Sequence, residues 1–90
     1  MLDIGDGYGA AIVHCSADLV GHELHAHPVD DPRTSVHTGI WERTVDGDIV
    51  VVAVFAELLE GTYRLAHPHE PDRVTALTIR SAHVTELALG

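Results

Sequence analysis

The sequence predicts an all-β fold, a single seven-stranded antiparallel Greek-key β-sandwich. Short apolar runs rich in β-branched and small residues recur along the 90 residues, separated by turn residues such as Asp46-Gly47. The longest run, 49–55, contains no polar residue and leads into a Leu-x-x-Gly-x-Tyr pattern at 58–63, typical of the tyrosine corner in Greek-key proteins. No segment has a helical apolar period long enough to cover a sheet.

The first three strands are expected over 8–16, 22–27 and 35–44. In the first, neither alternating face is strongly polar, so its orientation stays open. In the second, Leu24 and Ala26 share one side with His22, and this side is expected to point inward. The third contains Trp41, which we expect to be buried although either face could be the inner one. The connections 18–21 and 28–33 carry the Gly, Pro and Asp residues of turns.

The fourth strand, 49–55, follows a tight Asp-Gly hairpin turn. Residues 57–60 are expected to form an arch, after which a fifth strand over 62–66 turns Tyr63 and Leu65 inward. Strands six and seven, over 73–80 and 83–89, complete the fold. Their inward residues are Leu77 and Ile79 with Leu87 and Leu89.

Length and composition predict one domain over 1–90. A chain of this size buries about 60–65% of its unfolded surface, enough for one modest core. Only 4% of the residues are aromatic, so that core must consist mainly of Val, Leu, Ile and Ala. Residues 1–7 carry two Gly and two Asp, and we expect them to form a flexible leader.

The charge balance argues against nucleic-acid and membrane-surface partners. The net charge is −9 with neutral histidines, and the sequence has no Lys; such a surface repels phosphates and anionic lipids. The one cysteine, Cys15, has no internal disulfide partner, and the amino terminus lacks the pattern of a signal peptide. These features indicate a cytoplasmic location.

The second half of the chain resembles a known family. The segments 54–65, 74–79 and 84–89 resemble prealbumin-like sandwich domains, a group that includes carboxypeptidase regulatory-like domains and collagen-adhesin B-type repeats. The chain also looks like small stand-alone acidic proteins of actinobacteria. The resemblance implies a non-catalytic module for binding or stabilising a partner. The adhesin repeats' lysine isopeptide crosslink is absent, because there is no Lys.

Histidine is the unusual feature of the composition, with eight in the chain. His25 and His27, two apart on a strand, present their imidazoles on one face, as in many metal sites. If alternate strands run oppositely, His37 lies near this pair, whereas His67 and His69 lie nearer His22. The predicted metal ligands are therefore His25, His27 and His37, for Zn, Ni or Cu, with surface histidines that bind no metal as the alternative.

The sequence evidence for a catalytic site is weaker than that for a metal site. His25, His27, Asp31 and His69 align partly with the metal motif of cupins, which would place inward-facing histidines in a cavity. No nucleophile elbow or phosphate-binding loop is present. We therefore expect a small non-enzymatic interaction domain without a cofactor, which forms a homodimer through the apolar strand 49–55 or an edge strand. The alternatives are a metal-binding domain and a cupin-like metalloenzyme.

Overall fold

A computed structural model describes residues 7–31, 33–70 and 72–89. Over these residues the protein is all-β, as predicted. Its strands in chain order are β1 (Tyr8–His14), β2 (Glu23–Pro28), β3 (Val36–Val45), β4 (Asp48–Leu59), β5 (Gly61–Ala66), β6 (Val74–Ile79) and β7 (Val84–Ala88). Except for Gly7, the predicted leader lies outside the described residues. Nothing helical in the described ranges is long and apolar enough to cross a membrane.

The described strands form one mixed sheet in the order β6-β5-β2-β3-β4-β1-β7. Its pairings are antiparallel, as predicted, except that β1 and β7 pair in parallel. The prediction of a purely antiparallel sheet is therefore wrong at this one pairing. Each connection reverses the chain, so odd-numbered strands run in the same direction, and two odd-numbered neighbours must be parallel.

Strand β3 connects the two halves of this sheet. Its residues 36–39 pair with β2, whereas residues 40–45 pair with β4. One half therefore consists of β6, β5, β2 and the start of β3, and the other of the end of β3 with β4, β1 and β7. The fold spans 34 × 33 × 17 Å.

The sheet nearly closes on itself, like a barrel, where the turn between β6 and β7 meets β1. The Ala10 amide donates a hydrogen bond to the carbonyl of His83 at 3.0 Å. Gly9 permits this approach, because a Cβ atom there would lie 2.4 Å from the Arg80 carbonyl oxygen and 2.9 Å from Ile79 Cγ2. A residue without a side chain is thus required at this junction.

The core lies between the two halves of the sheet and follows the alternation predicted for β2, β5 and β6. The largest side chains that are fully buried are Val13, Leu19, Leu24, Ile40, Leu58, Leu65 and Leu77. On β7, Leu87 and the following Leu89 pack against this core from its margin. The inward residues predicted for strands two, five, six and seven are confirmed except for His22, which precedes β2 and is exposed.

The predicted hairpin turn at Asp46-Gly47 is confirmed. Asp46 has φ 52° and Gly47 has φ 83°, as in a type I′ turn that matches the twist of the flanking strands. The predicted arch over 57–60 is wrong for its first residues, because β4 continues to Leu59. The pairing of β4 with β1 continues to the end of β4, where Leu59 pairs with Tyr8, and the chain reverses only after Leu59.

The tyrosine-corner prediction is supported by a specific bond. The Tyr63 hydroxyl donates to the carbonyl of Leu59 at 2.6 Å, and the side chain is buried. This bond joins the end of β4 to β5 across the reversal at Gly61. Burial also raises the pKa of the Tyr63 phenol above its ordinary value, so the hydroxyl remains a donor over a wider pH range.

The expected burial of Trp41 is wrong. Its side chain is 55% exposed, whereas the preceding residue, Ile40, takes the inner position and is fully buried. The indole lies over the backbone of Gly39, where a Cβ atom would be 2.4 Å from Trp41 Nε1. Because Gly39 has no side chain, the indole ring of Trp41 can pack over its backbone on the outer surface.

Candidate functional site

An apolar surface covers the outer side of β3, β4, β1 and β7. We call it the apolar face; its members are Ile12, Trp41, Val50, Val52, Val54 and Val84, of which Val52 is only 4% exposed. Strand register brings these side chains together, since Val54 pairs with Ile12 and Val52 with Trp41. Trp41 and Val84 are more than half exposed. β4 is therefore apolar on both sides because its inner side belongs to the core and its outer side to this face.

Charged groups lie around the apolar face and are absent from its centre. On the described strands, Arg43 and Asp48 stand at the hairpin end, Glu57 at the opposite end of β4, and Glu86 on the edge strand β7. Glu86 Oε1 lies 2.5 Å from His14 Nε2. In a chain of net charge −9, this face thus has an uncharged centre and a charged rim.

The predicted metal ligands lie together on the outer side of the other half of the sheet. His25 pairs with His37 across β2 and β3, and their ring centroids are 5.3 Å apart. The His27 ring lies 6.4 Å from that of His25. Glu23 Oε2 contacts His37 Nδ1 at 2.5 Å. Residues 25, 27 and 37 are thus neighbours, as the strand directions predict.

These histidines face outward; the alternation predicts this for His25 and His27 and leaves His37 open, since either side of the third strand could be the inner one. Leu24 and Ala26 on the same strand are fully buried, whereas His37 is exposed and His25 and His27 are partly exposed. The cupin-like alternative requires imidazoles that line an interior cavity, and this arrangement does not provide them. Within residues 7–31, 33–70 and 72–89, no three or more His, Cys, Asp or Glu side chains are arranged to hold a metal ion.

A second histidine cluster joins the start of β2 to the loop between β5 and β6. His22 Nε2 and His69 Nε2 are 3.2 Å apart, and the two rings meet edge to face with centroids 4.7 Å apart. Asp18 Oδ2 lies 3.4 Å from His69 Nδ1. The backbone amide of His69 donates to His67 Nδ1 at 3.2 Å. The predicted proximity of His67 and His69 to His22 is confirmed for the His22–His69 pair.

The Asp18 carboxyl has a pKa below its ordinary value. The main cause is a hydrogen bond from the Ser16 side chain; the nearby imidazoles of His69 and His67 act in the same direction, and desolvation opposes them. Asp18 is thus ionised near neutral pH, and its negative charge lies close to His69 Nδ1. Sequence spacing gave no indication of this residue, because it lies 51 positions from His69.

The remaining reactive side chains have structural surroundings. Cys15 is partly buried against the core, and burial raises the pKa of its thiol, partly offset by a backbone hydrogen bond from Ala53. His83 Nδ1 lies 2.7 Å from the Ser81 carbonyl oxygen in the β6–β7 turn. Cys15 therefore remains a neutral thiol near pH 7.

Comparisons with models of known protein families, with curated proteins and with solved structures found no match.

Proposed function

We propose that this domain is a non-catalytic protein-interaction module that pairs with a second copy of itself through the apolar face. The observation that supports this most strongly is the exposed Trp41 beside an uncharged row of valines on β4. Contiguous apolar patches of this kind mark association sites on soluble proteins. Trp is also among the residues that contribute most to binding at protein interfaces.

A second copy is favoured as the occupant by the distribution of charge on the face. A two-fold interface places the same patch on both subunits, so opposite charges must stand at opposite sides of it. Arg43 lies on β3 and Glu86 on β7, with β4 and β1 between them. Two copies packed face to face with crossed strands can bring each Arg43 near the partner's Glu86.

Two valines provide a matched test of this proposal. Val84 on the apolar face and Val74 on the outer side of the other half are each 52% exposed. Val84→Glu introduces a charge into the proposed interface and should weaken the dimer at least tenfold in sedimentation equilibrium. Val74→Glu makes the same chemical change elsewhere and should leave the dimer intact. Equal effects of the two substitutions, or none from Val84→Glu, would contradict the proposal.

We also propose that the fold is the prealbumin-like Greek-key sandwich that the sequence resemblance implies. The Tyr63 corner and the division of the sheet at β3 support this assignment. A domain of this type would act by binding rather than by catalysis, in agreement with the proposed interaction role.

Metal binding by His25, His27 and His37 stays a second candidate function. The placement of the three imidazoles on one outer surface supports it, with the His25 and His37 rings 5.3 Å apart, but these side chains must move to bind one ion, because they are not arranged to hold a metal as they stand. Titration calorimetry with Zn²⁺, Ni²⁺ and Cu²⁺ tests it: uptake by this trio should fall in the double variant His25→Ala/His27→Ala. Uptake that this double variant leaves unchanged would exclude the trio.

A further inference from the structure

We propose that His22 and His69 form a two-imidazole site for a divalent late transition-metal ion. The site is separate from the trio at 25, 27 and 37 and independent of the apolar face. It lies where the 3₁₀ turn Ala17–Leu19 and the loop between β5 and β6 meet. Both histidines are exposed, so an ion can enter directly from solvent.

The separation of the two nitrogens fits shared coordination. Two imidazole nitrogens bound to one tetrahedral ion at about 2.0–2.1 Å each lie about 3.3–3.4 Å apart. His22 Nε2 and His69 Nε2 are already 3.2 Å apart. Little movement is therefore needed for both to bind one ion, and water would complete the coordination.

Asp18 orients the His69 ring for this role. Its carboxylate lies 3.4 Å from His69 Nδ1 and favours the tautomer of His69 with the proton on Nδ1, in which the Nε2 lone pair is directed toward His22. In that tautomer and without metal, His69 Nε2 would accept a hydrogen bond from a neutral His22 that is protonated on Nε2. On metal binding, His22 changes to its Nδ1-protonated tautomer, and both Nε2 atoms become ligands.

The backbone on both sides of the site is fixed by hydrogen bonds. The His22 amide donates to Leu19 O at 3.0 Å, and its carbonyl accepts from the Ile40 amide at 2.9 Å. In the β5–β6 loop, the Arg73 amide donates to Glu70 O at 2.8 Å, and their side chains pair at 3.1 Å. The two ligands are thus presented from anchored segments, which reduces the ordering needed on binding.

Calorimetric titration of the full untagged chain with NiCl₂, ZnCl₂ or CuCl₂ tests the site. We expect saturable uptake, tightest for Cu²⁺ in the usual affinity order of divalent ions. His22→Ala and His69→Ala should each weaken the affinity of one ion at least tenfold. Asp18→Asn should weaken it by about tenfold, the lower end for loss of an orienting carboxylate.

The matched controls are His25→Ala and His37→Ala, which remove imidazoles from the other cluster and should leave the His22–His69 ion in place. Circular dichroism of each variant verifies the fold. Absence of saturable uptake by the unmodified protein would overturn the proposal. Uptake unchanged in both His22→Ala and His69→Ala would overturn it as well. Either result leaves the dimer proposal unaffected, since the apolar face contains neither residue.

Discussion

Tyr63, at the reversal between β4 and β5, and Cys15, just after β1, each place a polar atom in or beside the core. Tyr63 provides a hydroxyl bond across the reversal, and Cys15 places a thiol against the core. In both cases the polar atom has a backbone partner, which offsets the cost of removing it from water. Substitution or titration of these atoms should therefore have measurable and specific effects.

Tyr63→Phe removes the hydroxyl bond and leaves the Leu59 carbonyl without that donor. We expect the free energy of unfolding to fall by about 1–2 kcal/mol, the range for loss of a buried hydrogen bond. Urea unfolding followed by circular dichroism measures it. Tyr8→Phe, the same change at a less buried tyrosine, is the control and should cost less than about 0.5 kcal/mol. Equal costs for the two substitutions would show that the corner bond adds nothing.

The Cys15 thiol should react slowly in the folded protein. Burial raises its pKa, so the folded chain contains less of the reactive thiolate at pH 8 than the unfolded chain does. Alkylation by iodoacetamide should thus be slower in buffer than in urea at pH 8, and the folded rate should continue to rise with pH after the unfolded rate has levelled off. Identical pH profiles in buffer and urea would contradict the assigned environment.

Among the elements, close backbone contacts decide how the strands meet. Gly9 lies where β1 approaches the β6–β7 turn, and a Cβ there would meet backbone oxygens. Gly39 lies on β3, and the three atoms nearest to a Cβ there all belong to the exposed indole of Trp41. Backbone atoms cannot move without separating strands, whereas an exposed ring can rotate away.

Alanine substitution at these two glycines should therefore give different results. Gly9→Ala should destabilise the fold by about 2–3 kcal/mol, in the range for overpacking. Gly39→Ala should cost less than about 1 kcal/mol and instead shift the fluorescence of Trp41 toward that of a solvated indole. Urea unfolding and emission spectra measure the two effects. A larger stability loss at Gly39 than at Gly9 would contradict this description of the contacts.

The sequence predicted most of the strands correctly, but it predicted less of how they are arranged in the sheet. Alternation identified the inner sides of β2, β5, β6 and β7, because polar and apolar residues differ clearly there. It could not place Trp41, since both sides of β3 carry mixed residues and the decisive feature is the space above Gly39. The parallel pairing of β1 with β7 depends on where the sheet closes, which no local pattern encodes.

The candidate sites were predictable to a similar degree. Strand directions separated the histidines into two groups, and the structure shows both groups. The sequence did not predict that His22 and His69 lie closer together than the members of the other histidine group. Their close approach depends on the path of the β5–β6 loop and on Asp18. Loop conformation, unlike strand alternation, has no simple sequence period.

For the whole molecule, charge and apolar surface act in opposite directions on association. A net charge of −9 makes copies repel one another, and salt screens that repulsion. The apolar face has an uncharged centre, so face-to-face contact buries Trp41 and the partly exposed Val50 and Val54 without burying a carboxylate at its centre. Self-association should therefore become stronger, not weaker, as salt is added.

The mass of the unmodified protein in solution tests the central claim most directly. Light scattering across a concentration series in 0.15 M salt should show the mass rise from 9.7 kDa toward twice that value as the chain reaches high micromolar concentration. Such a rise is what pairing through the apolar face predicts. A mass that stays at 9.7 kDa over the whole series would contradict it.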